Sequence, residues 1–213
     1  MLTKRTKWFY LIAVIAVIGV SMLVSPAFSE GQGGTSKEGI TVHGHWKIEI
    51  FNPDGKRASI TEFENSLDSG TGQMYLIMLL SGQAVYGNWG VELDASAGTK
   101  PCDDGSPSSC KIGESGGYYS PMTLNSSNLN VVGNWSTAPR RVILTGSVTA
   151  ANASTIDTVK TVSSYCNTTD VSISACRSVN NTIWQNFTSA TLGTPPSVVP
   201  GQLIQVTVTI SFS

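Results

Sequence analysis

The sequence predicts a mostly β protein, an antiparallel β-sandwich of the immunoglobulin-like or jelly-roll-like kind. Short segments with apolar residues at every second position recur along the chain, and turns rich in Gly, Pro, Asn and Asp separate them. The most regular alternation lies at 203–213, and a similar one lies at 42–50. A run of seven apolar residues at 74–80 breaks this pattern and predicts one buried helix near 70–81.

The first strand is predicted at 42–50, because its apolar residues share one face and its charged residues share the other. Asn52-Pro53-Asp54-Gly55 predicts a tight turn, since Pro53 fixes a negative φ and Gly55 tolerates a positive one. The return strand runs from Ile60 to Phe63. The apolar face of the first strand consists of Val42, Gly44, Trp46, Ile48 and Ile50.

The helix is predicted from its ends and its composition. Asp68, Ser69 and Thr71 are candidate N-caps, and Gly82 is a natural stop. The run between them is apolar on every side, and we therefore expect the helix to be buried.

The second half of the chain is predicted to be almost entirely β-structure. Strands are expected at 142–150, 156–162 and 184–192, after an earlier one at 89–93 and a long loop at 95–117. The last strand has no charge on its outer face, so at a sheet edge it would lack the usual guard against pairing with a neighbour. Self-association through this C-terminal strand is one hypothesis for the protein's role. Its residues expected to face the core are Ile204, Val206, Val208, Ile210 and Phe212.

The N-terminal 29 residues have the features of a signal peptide. Three basic residues precede an apolar run at 8–24, Ser25-Pro26 breaks the helix, and Ala27-Phe28-Ser29 offers small residues for cleavage. A retained signal anchor is the alternative, since the apolar run is nearly long enough to span a membrane. We predict a signal peptide at 1–29, a flexible leader at 30–40 and one β-sandwich domain at 41–213, in a secreted or cell-surface protein.

The charge of the exported chain limits its partners. Residues 1–29 hold three of the 13 basic residues and none of the 14 acidic ones, which leaves ten basic against fourteen acidic residues, a net charge of −4. Nucleic-acid binding is not expected, because it depends on neutralising phosphates with Lys and Arg. A second long apolar segment is absent from the sequence, so no membrane partner is expected once the signal is cleaved.

The four cysteines predict two disulfides. An even number of cysteines in an exported chain indicates a disulfide framework, and four cysteines allow three pairings. We favour the two local pairings, Cys102 with Cys110 and Cys166 with Cys176, which close short segments rich in Ser, Gly and Asn. The C-x-x-C pairs typical of zinc sites are absent from the sequence.

A protease-like motif and a histidine pair are the first candidates for a chemical site. The segment 113–117, G-E-S-G-G, resembles the sequence around the nucleophile of chymotrypsin-like serine proteases, but Ser115 would need a histidine base. The only histidines, His43 and His45, lie in V-H-G-H-W, which lacks that family's motif. They share a strand face and could contact one metal ion, but two ligands are not a closed site.

Carboxylates and tryptophans supply the remaining candidates. Asp103 and Asp104 could help to bind calcium, although turn-forming aspartates explain them equally well. Glu62 and Glu64 share a strand face, but nothing in the sequence places a cleft beside them. A sugar-stacking platform or a hydrophobic core would each account for Trp46, Trp89, Trp135 and Trp184. No catalytic residue, metal ion or cofactor is predicted.

Six N-x-S/T sequons, all in the second half of the chain, are possible glycosylation sites. If the host glycosylates, that half presents the outer surface. The sequons lie at Asn125, Asn134, Asn152, Asn167, Asn180 and Asn186.

Two stretches resemble phage tail-fibre-type and virion-surface modules, and the whole arrangement resembles uncharacterised exported microbial proteins. The stretches are F-E-N-S-L-D-S-G-T-G with the following G-N-W-G-V-E-L, and the closing P-G-Q-L-I-Q-V-T-V-T-I-S-F-S. The resemblance implies a β-sandwich with a structural or attachment role and no catalytic residues. We therefore expect a non-enzymatic surface or structural protein that adheres, self-assembles or binds a cell-surface partner. A glycan-binding module is the alternative.

Overall fold

The computed structural model describes residues 40–95, 100–102, 109–113, 129–134, 136, 140–166, 170–178 and 183–213. The predicted signal peptide and nearly all of the leader lie outside these residues. The described strands are β1 Val42–Phe51, β2 Arg57–Leu67, β3 Val85–Asp94, β4 Ser109–Gly113, β5 Leu129–Asn134, β6 Arg141–Thr149, β7 Ser154–Thr155, β8 Thr158–Cys166, β9 Ile183–Thr191, β10 Ser197–Val198 and β11 Leu203–Phe212. The described helices are α1 Thr71–Leu80 and α2 Ile173–Ser178.

Nine of the strands form one antiparallel sheet, in the order β4-β3-β8-β9-β2-β1-β11-β6-β5. The mostly β, antiparallel prediction is confirmed. The expected two-sheet sandwich is not confirmed, because β2 pairs with β9 and joins a four-strand part to a five-strand part. The sheet curls so far that β5 contacts β3 and β6 contacts β4, which brings its two ends close together. Residues from both parts fill a single hydrophobic core between them.

The first hairpin forms as the sequence predicts. The apolar face of β1 is buried, with Trp46 fully enclosed, while the side chains of the other face are exposed or half-buried. At the turn, Gly55 has φ +79° and its N–H donates to the carbonyl oxygen of Asn52 at 2.8 Å. Gly55 is thus at a position that a β-carbon would strain.

The last strand, β11, lies inside the sheet and not at an edge. It pairs along its length with β1 on one side and with β6 on the other. Four of its five apolar residues are buried as predicted, but Phe212 is 43% exposed, since it lies at the strand's end beyond the core. Both backbone edges of β11 are occupied, so the edge position that the self-association hypothesis requires is absent.

Helix α1 has the predicted position but is not buried all round. Only Gly72 and Tyr75 are buried, whereas Ile77 is 64% and Leu80 is 66% exposed. The helix packs one side against β9, so apolar side chains on its other side remain in contact with solvent. Tyr75 anchors it: the phenol oxygen lies 3.0 Å from Ser163 Oγ and 3.1 Å from the carbonyl oxygen of Ser164. Burial raises the pKa of Tyr75 to about 12.

The strand β4 and the short helix α2 are absent from the sequence-based expectation. The predicted loop 95–117 contains the strand β4, which pairs with β3 so that Leu93 lies opposite Cys110. The short helix α2 closes the second cysteine loop: it packs against β3, and Cys176 within it bonds to Cys166. Each element contains a cysteine whose disulfide partner lies outside that element. Both are too short for their own residue patterns to predict them.

The close approach of α1 to β9 gives the first prediction. A β-carbon at Gly72 would collide with the backbone carbonyl oxygen of Phe187. Gly72→Ala should therefore lower the free energy of unfolding by about 1–3 kcal/mol, as overpacked sites do, although Ala is the better helix former. Gly70→Ala is the matched control, because its β-carbon would lie an ordinary 3.6 Å from Asp68 Oδ1. Equal urea midpoints for the two variants would contradict the contact.

Candidate functional site: the groove between β2 and β9

The two parts of the sheet meet at a very short joint. Strands β2 and β9 pair only at Ser66 with Ser189 and at Leu67 with Thr188. By contrast, β2 pairs with β1 along nearly its whole length. Two residue pairs are a short backbone ladder, so the side chains around the joint contribute much of what holds it.

A chain of hydrogen bonds crosses the joint from β1 to β8. The Asn65 amide is assigned the orientation in which its oxygen and nitrogen both find partners: the oxygen accepts from Trp46 Nε1 and Thr188 Oγ1, each at 2.9 Å, and the nitrogen donates to the carbonyl oxygen of Gly44 at 3.1 Å. Because Thr188 uses its hydroxyl proton on Asn65, the hydroxyl of Thr161 donates to Thr188 Oγ1, at 2.6 Å. Both threonines are fully buried, and four strands are thereby tied together.

Removal of one hydroxyl in this chain gives the second prediction. Thr188→Val keeps the side-chain volume but leaves buried polar atoms of Thr161 and Asn65 with fewer partners. The free energy of unfolding should fall by about 1–3 kcal/mol, the usual cost of such a loss. Thr188→Ser retains the hydroxyl, so its free energy of unfolding should fall by less than that of Thr188→Val. Chemical denaturation measures the free energy of unfolding of both variants. A larger loss of stability in Thr188→Ser than in Thr188→Val would contradict a stabilising role for the hydroxyl.

Asp68 fastens the end of β2 to both α1 and β9. Its N–H donates to the carbonyl oxygen of Phe187 at 2.9 Å, and its Oδ1 accepts from the N–H groups of Gly70 at 3.1 Å and Thr71 at 2.9 Å. Ser189 Oγ donates to Oδ2 at 3.2 Å. Partial burial alone would raise the pKa of Asp68, but these donors outweigh it and hold the pKa below its usual 3.8.

The lowered pKa of Asp68 gives the third prediction. A carboxylate that is more acidic when folded contributes stability that is complete above its unfolded pKa, near 3.9, and is lost as the pH falls through the folded value. The difference in the free energy of unfolding between the wild type and Asp68→Asn should therefore shrink below about pH 4. Urea unfolding between pH 2 and 7 measures it. A pH-independent difference would mean that the charge of Asp68 is not what fastens β2.

Beyond the two-pair joint, β2 and β9 diverge and leave a groove. Its volume is about 300 Å³, at the lower end of the range for small-ligand sites. Phe63 forms part of its wall and stacks on Trp46, with the ring centroids 5.8 Å apart. On the opposite side, the N–H of Leu192 donates to the carbonyl oxygen of Asp157 at 2.7 Å, which holds the turn after β9 in place. The groove is lined by Thr61, Glu62, Phe63, Glu64, Ala190, Thr191, Leu192, Gly193 and Thr194.

The rim of the groove is acidic. Glu64 and Glu62 are both exposed, and Glu64 Oε1 lies 2.7 Å from His45 Nδ1. Lys47 lies opposite Glu62 in the register of β1 and β2, but its ammonium is 2.9 Å from Glu49 Oε2. Hydrogen bonds from Lys47 and then Arg57 lower the pKa of Glu49, which is 3.0 Å from Arg57. No hydrogen bond or ion pair joins Glu62 to another described side chain.

The structure corrects the sequence-based interpretation of Glu62 and Glu64. The sequence alone places no cleft beside them, whereas in the structure the divergence of β2 from β9 leaves both on the rim of the groove. Sequence reasoning missed the groove's second wall, Ala190 to Thr194, because it is brought there by a long-range strand pairing. The alternation of β2 was visible in the sequence, whereas its partner was not.

The other predicted candidates do not gather into a site within the described residues. His43 Nε2 lies 3.1 Å from Ser213 Oγ, and His45 contacts Glu64, so the two imidazoles have different partners. Among the residues that the structure describes, no three His, Cys, Asp or Glu side chains are close enough to hold a metal ion. Trp46 is buried, and Trp89 packs edge-on against Phe187. Ser115, Asp103, Asp104 and Trp135 lie outside the described residues.

A second charged cluster lies on the four-strand part. Lys160 Nζ is 2.6 Å from Asp94 Oδ2 and 3.8 Å from Glu92 Oε2, and Lys111 Nζ is 3.4 Å from Glu92 Oε1. Partial burial alone would lower the pKa of Lys160, but the neighbouring carboxylates raise it above its usual value. Two cations and two carboxylates neutralise one another here, so this cluster is a cross-strand structural network.

The predicted disulfides are present, and both of them staple the four-strand part of the sheet. Cys102 bonds to Cys110 and Cys166 bonds to Cys176, and all four cysteines are buried. In the described part of the chain, no helix is long and apolar enough to cross a membrane.

The asparagines of three of the six sequons lie within the described residues. Asn134 and Asn186 lie in β5 and β9, and Asn152 donates from Nδ2 to the carbonyl oxygen of Lys100 at 3.2 Å. All three are half-buried. Asn125, Asn167 and Asn180 lie outside the described residues. Glycosylation at all six remains a prediction.

Comparison with known proteins gives no match: no family model, no curated protein and no solved structure is detectably similar to this chain.

Proposed function

We propose that this chain is an exported, non-enzymatic surface or structural protein that attaches or assembles through its β domain. The observation that carries the proposal is the pair of disulfides, each closing a short loop between buried cysteines. Such bonds persist in oxidising compartments outside the cytoplasm and are rare within it. The signal-like segment at 1–29 supports the same location.

The groove is the surface that we propose for attachment. Strand β11, the first candidate for assembly, has both edges paired, whereas β2 has a side without a strand partner over most of its described length. The apolar residues of the groove can bury part of a bound partner, and its acidic residues can select the partner by charge, as an attachment site requires.

A glycan-binding module is the second candidate, and the composition of the groove favours it. The ring of Phe63 offers a stacking surface, and the side chains of Thr191 and Glu64 offer hydrogen-bonding groups beside it. Trp46, considered for a sugar platform, packs in the core and is not available.

The fourth prediction tests the proposed location through the N-terminus and the disulfides of the exported chain. Intact-mass analysis of protein from the culture medium or cell surface should give a chain that starts near Glu30 and has no alkylatable thiol without reductant. The double variant Cys166→Ser, Cys176→Ser should lose about 2–4 kcal/mol of unfolding free energy through the freed loop. A cytoplasmic chain with four reactive thiols would contradict the proposal.

A further inference from the structure

The open side of β2 is the feature from which this inference starts. Residues 57–65 pair with β1 on one side, and no described strand pairs with them on the other. The groove lies along this open side, between β2 and the end of β9. An unpaired strand edge presents a row of N–H and C=O groups that can pair with another extended chain.

The side chains of β2 determine which side chains an added strand must have. Ile60, Glu62 and Glu64 alternate along the exposed face of β2, while Thr61 and Phe63 point to the other face. A strand added to β2 places its own alternate residues directly opposite these, at about 4.5–5.5 Å between β-carbons. Opposite charges favour such pairs, and like charges oppose them.

The charges exclude a second copy of β2 as the occupant. Two antiparallel β2 strands that met edge to edge would bring carboxylates of Glu62 and Glu64 close together, and Glu62 has no bonded cation among the described side chains to offset their repulsion. A basic strand meets no such repulsion, because Glu62 has no cation bonded to it among the described residues. Lys47, the nearest cation across the ladder, is paired with Glu49.

We infer that the groove between β2 and β9 binds an extended peptide segment by strand addition, with basic residues at alternate positions opposite Glu64 and Glu62. Thr and other small side chains of the segment face Phe63 and Leu192 within the groove. This inference deepens the proposed function and rests on it, since it names the kind of partner that the attachment surface takes.

The probe is a capped peptide with the sequence Thr-Lys-Thr-Lys-Thr-Val-Thr. Bound antiparallel to β2, it places its lysines opposite Glu64 and Glu62 and its valine opposite Ile60. One control peptide carries glutamate in place of both lysines. A second carries lysines with methylated backbone nitrogens, which keeps both charges and removes the donors that face the open side of β2.

The experiment is an NMR titration of the exported, oxidised chain with each peptide. The lysine peptide should saturably shift the amide signals of Glu62, Glu64 and Thr191, which face the groove, and the control peptides should not. Glu62→Gln with Glu64→Gln should raise the Kd about threefold to thirtyfold, since two favourable cross-strand pairs are lost. Asp54→Asn, which neutralises an exposed charge at the hairpin turn, should leave the Kd unchanged.

Gly193→Leu tests the groove itself. A β-carbon at Gly193 meets nothing within 4 Å, so the fold tolerates a larger residue there, and the side chain takes space at the groove wall. This variant should keep the wild-type thermal midpoint, and its Kd for the lysine peptide should rise at least tenfold.

Three results would overturn the inference: no saturable shift at millimolar lysine peptide, equal binding of the glutamate peptide, or full binding by Gly193→Leu. Shifts of the same residues by an oligosaccharide and not by the peptide would overturn it in favour of the glycan-binding module. If the chain is exported and its disulfides are formed, each of these results contradicts only the peptide-binding inference and not the proposed location. A reduced, cytoplasmic chain is the separate result that contradicts the location.

Discussion

The joint between β2 and β9 is the constraint on which the rest of this structure depends. The four-strand and five-strand parts become one sheet only through two residue pairs there. A buried hydrogen bond contributes only about 0.5–1.5 kcal/mol net, but its loss leaves a desolvated polar group that costs more. The links from Asn65 through Thr188 to Thr161 therefore fix the register of the joint as well as adding stability.

The same joint accounts for the groove. Strands β2 and β9 are held together at one end and belong to separate ladders beyond it, so they diverge and expose the side of β2. The residues on that side are suited to exposure, since Glu62 and Glu64 place charge on an open strand edge, a common guard against edge-to-edge pairing. We propose that this acidic edge disfavours identical partners and accepts basic ones.

The sequence predicts the strands of this fold better than it predicts the surface where they diverge. Alternation in β1 and β11 was enough to place their buried faces, and the Pro53–Gly55 turn was visible directly. The exposure of α1 was not predictable, because an evenly apolar run has no phase that marks an outer side. The groove depends on which strand lies beside β2, and Thr161 and Thr188 have the residue type of an exposed strand face although both are buried.

Amide hydrogen exchange along β2 and β9 tests the joint most directly. The account predicts slow exchange at the amides that bond across the joint, those of Ser66, Asp68 and Ser189, with fast exchange at alternate amides of 58–64 that point away from β1. The amides of β2 that donate to β1 should remain protected. Uniform protection along the whole of β2 would mean that a strand covers its open side, and would contradict both the short joint and the groove beside it.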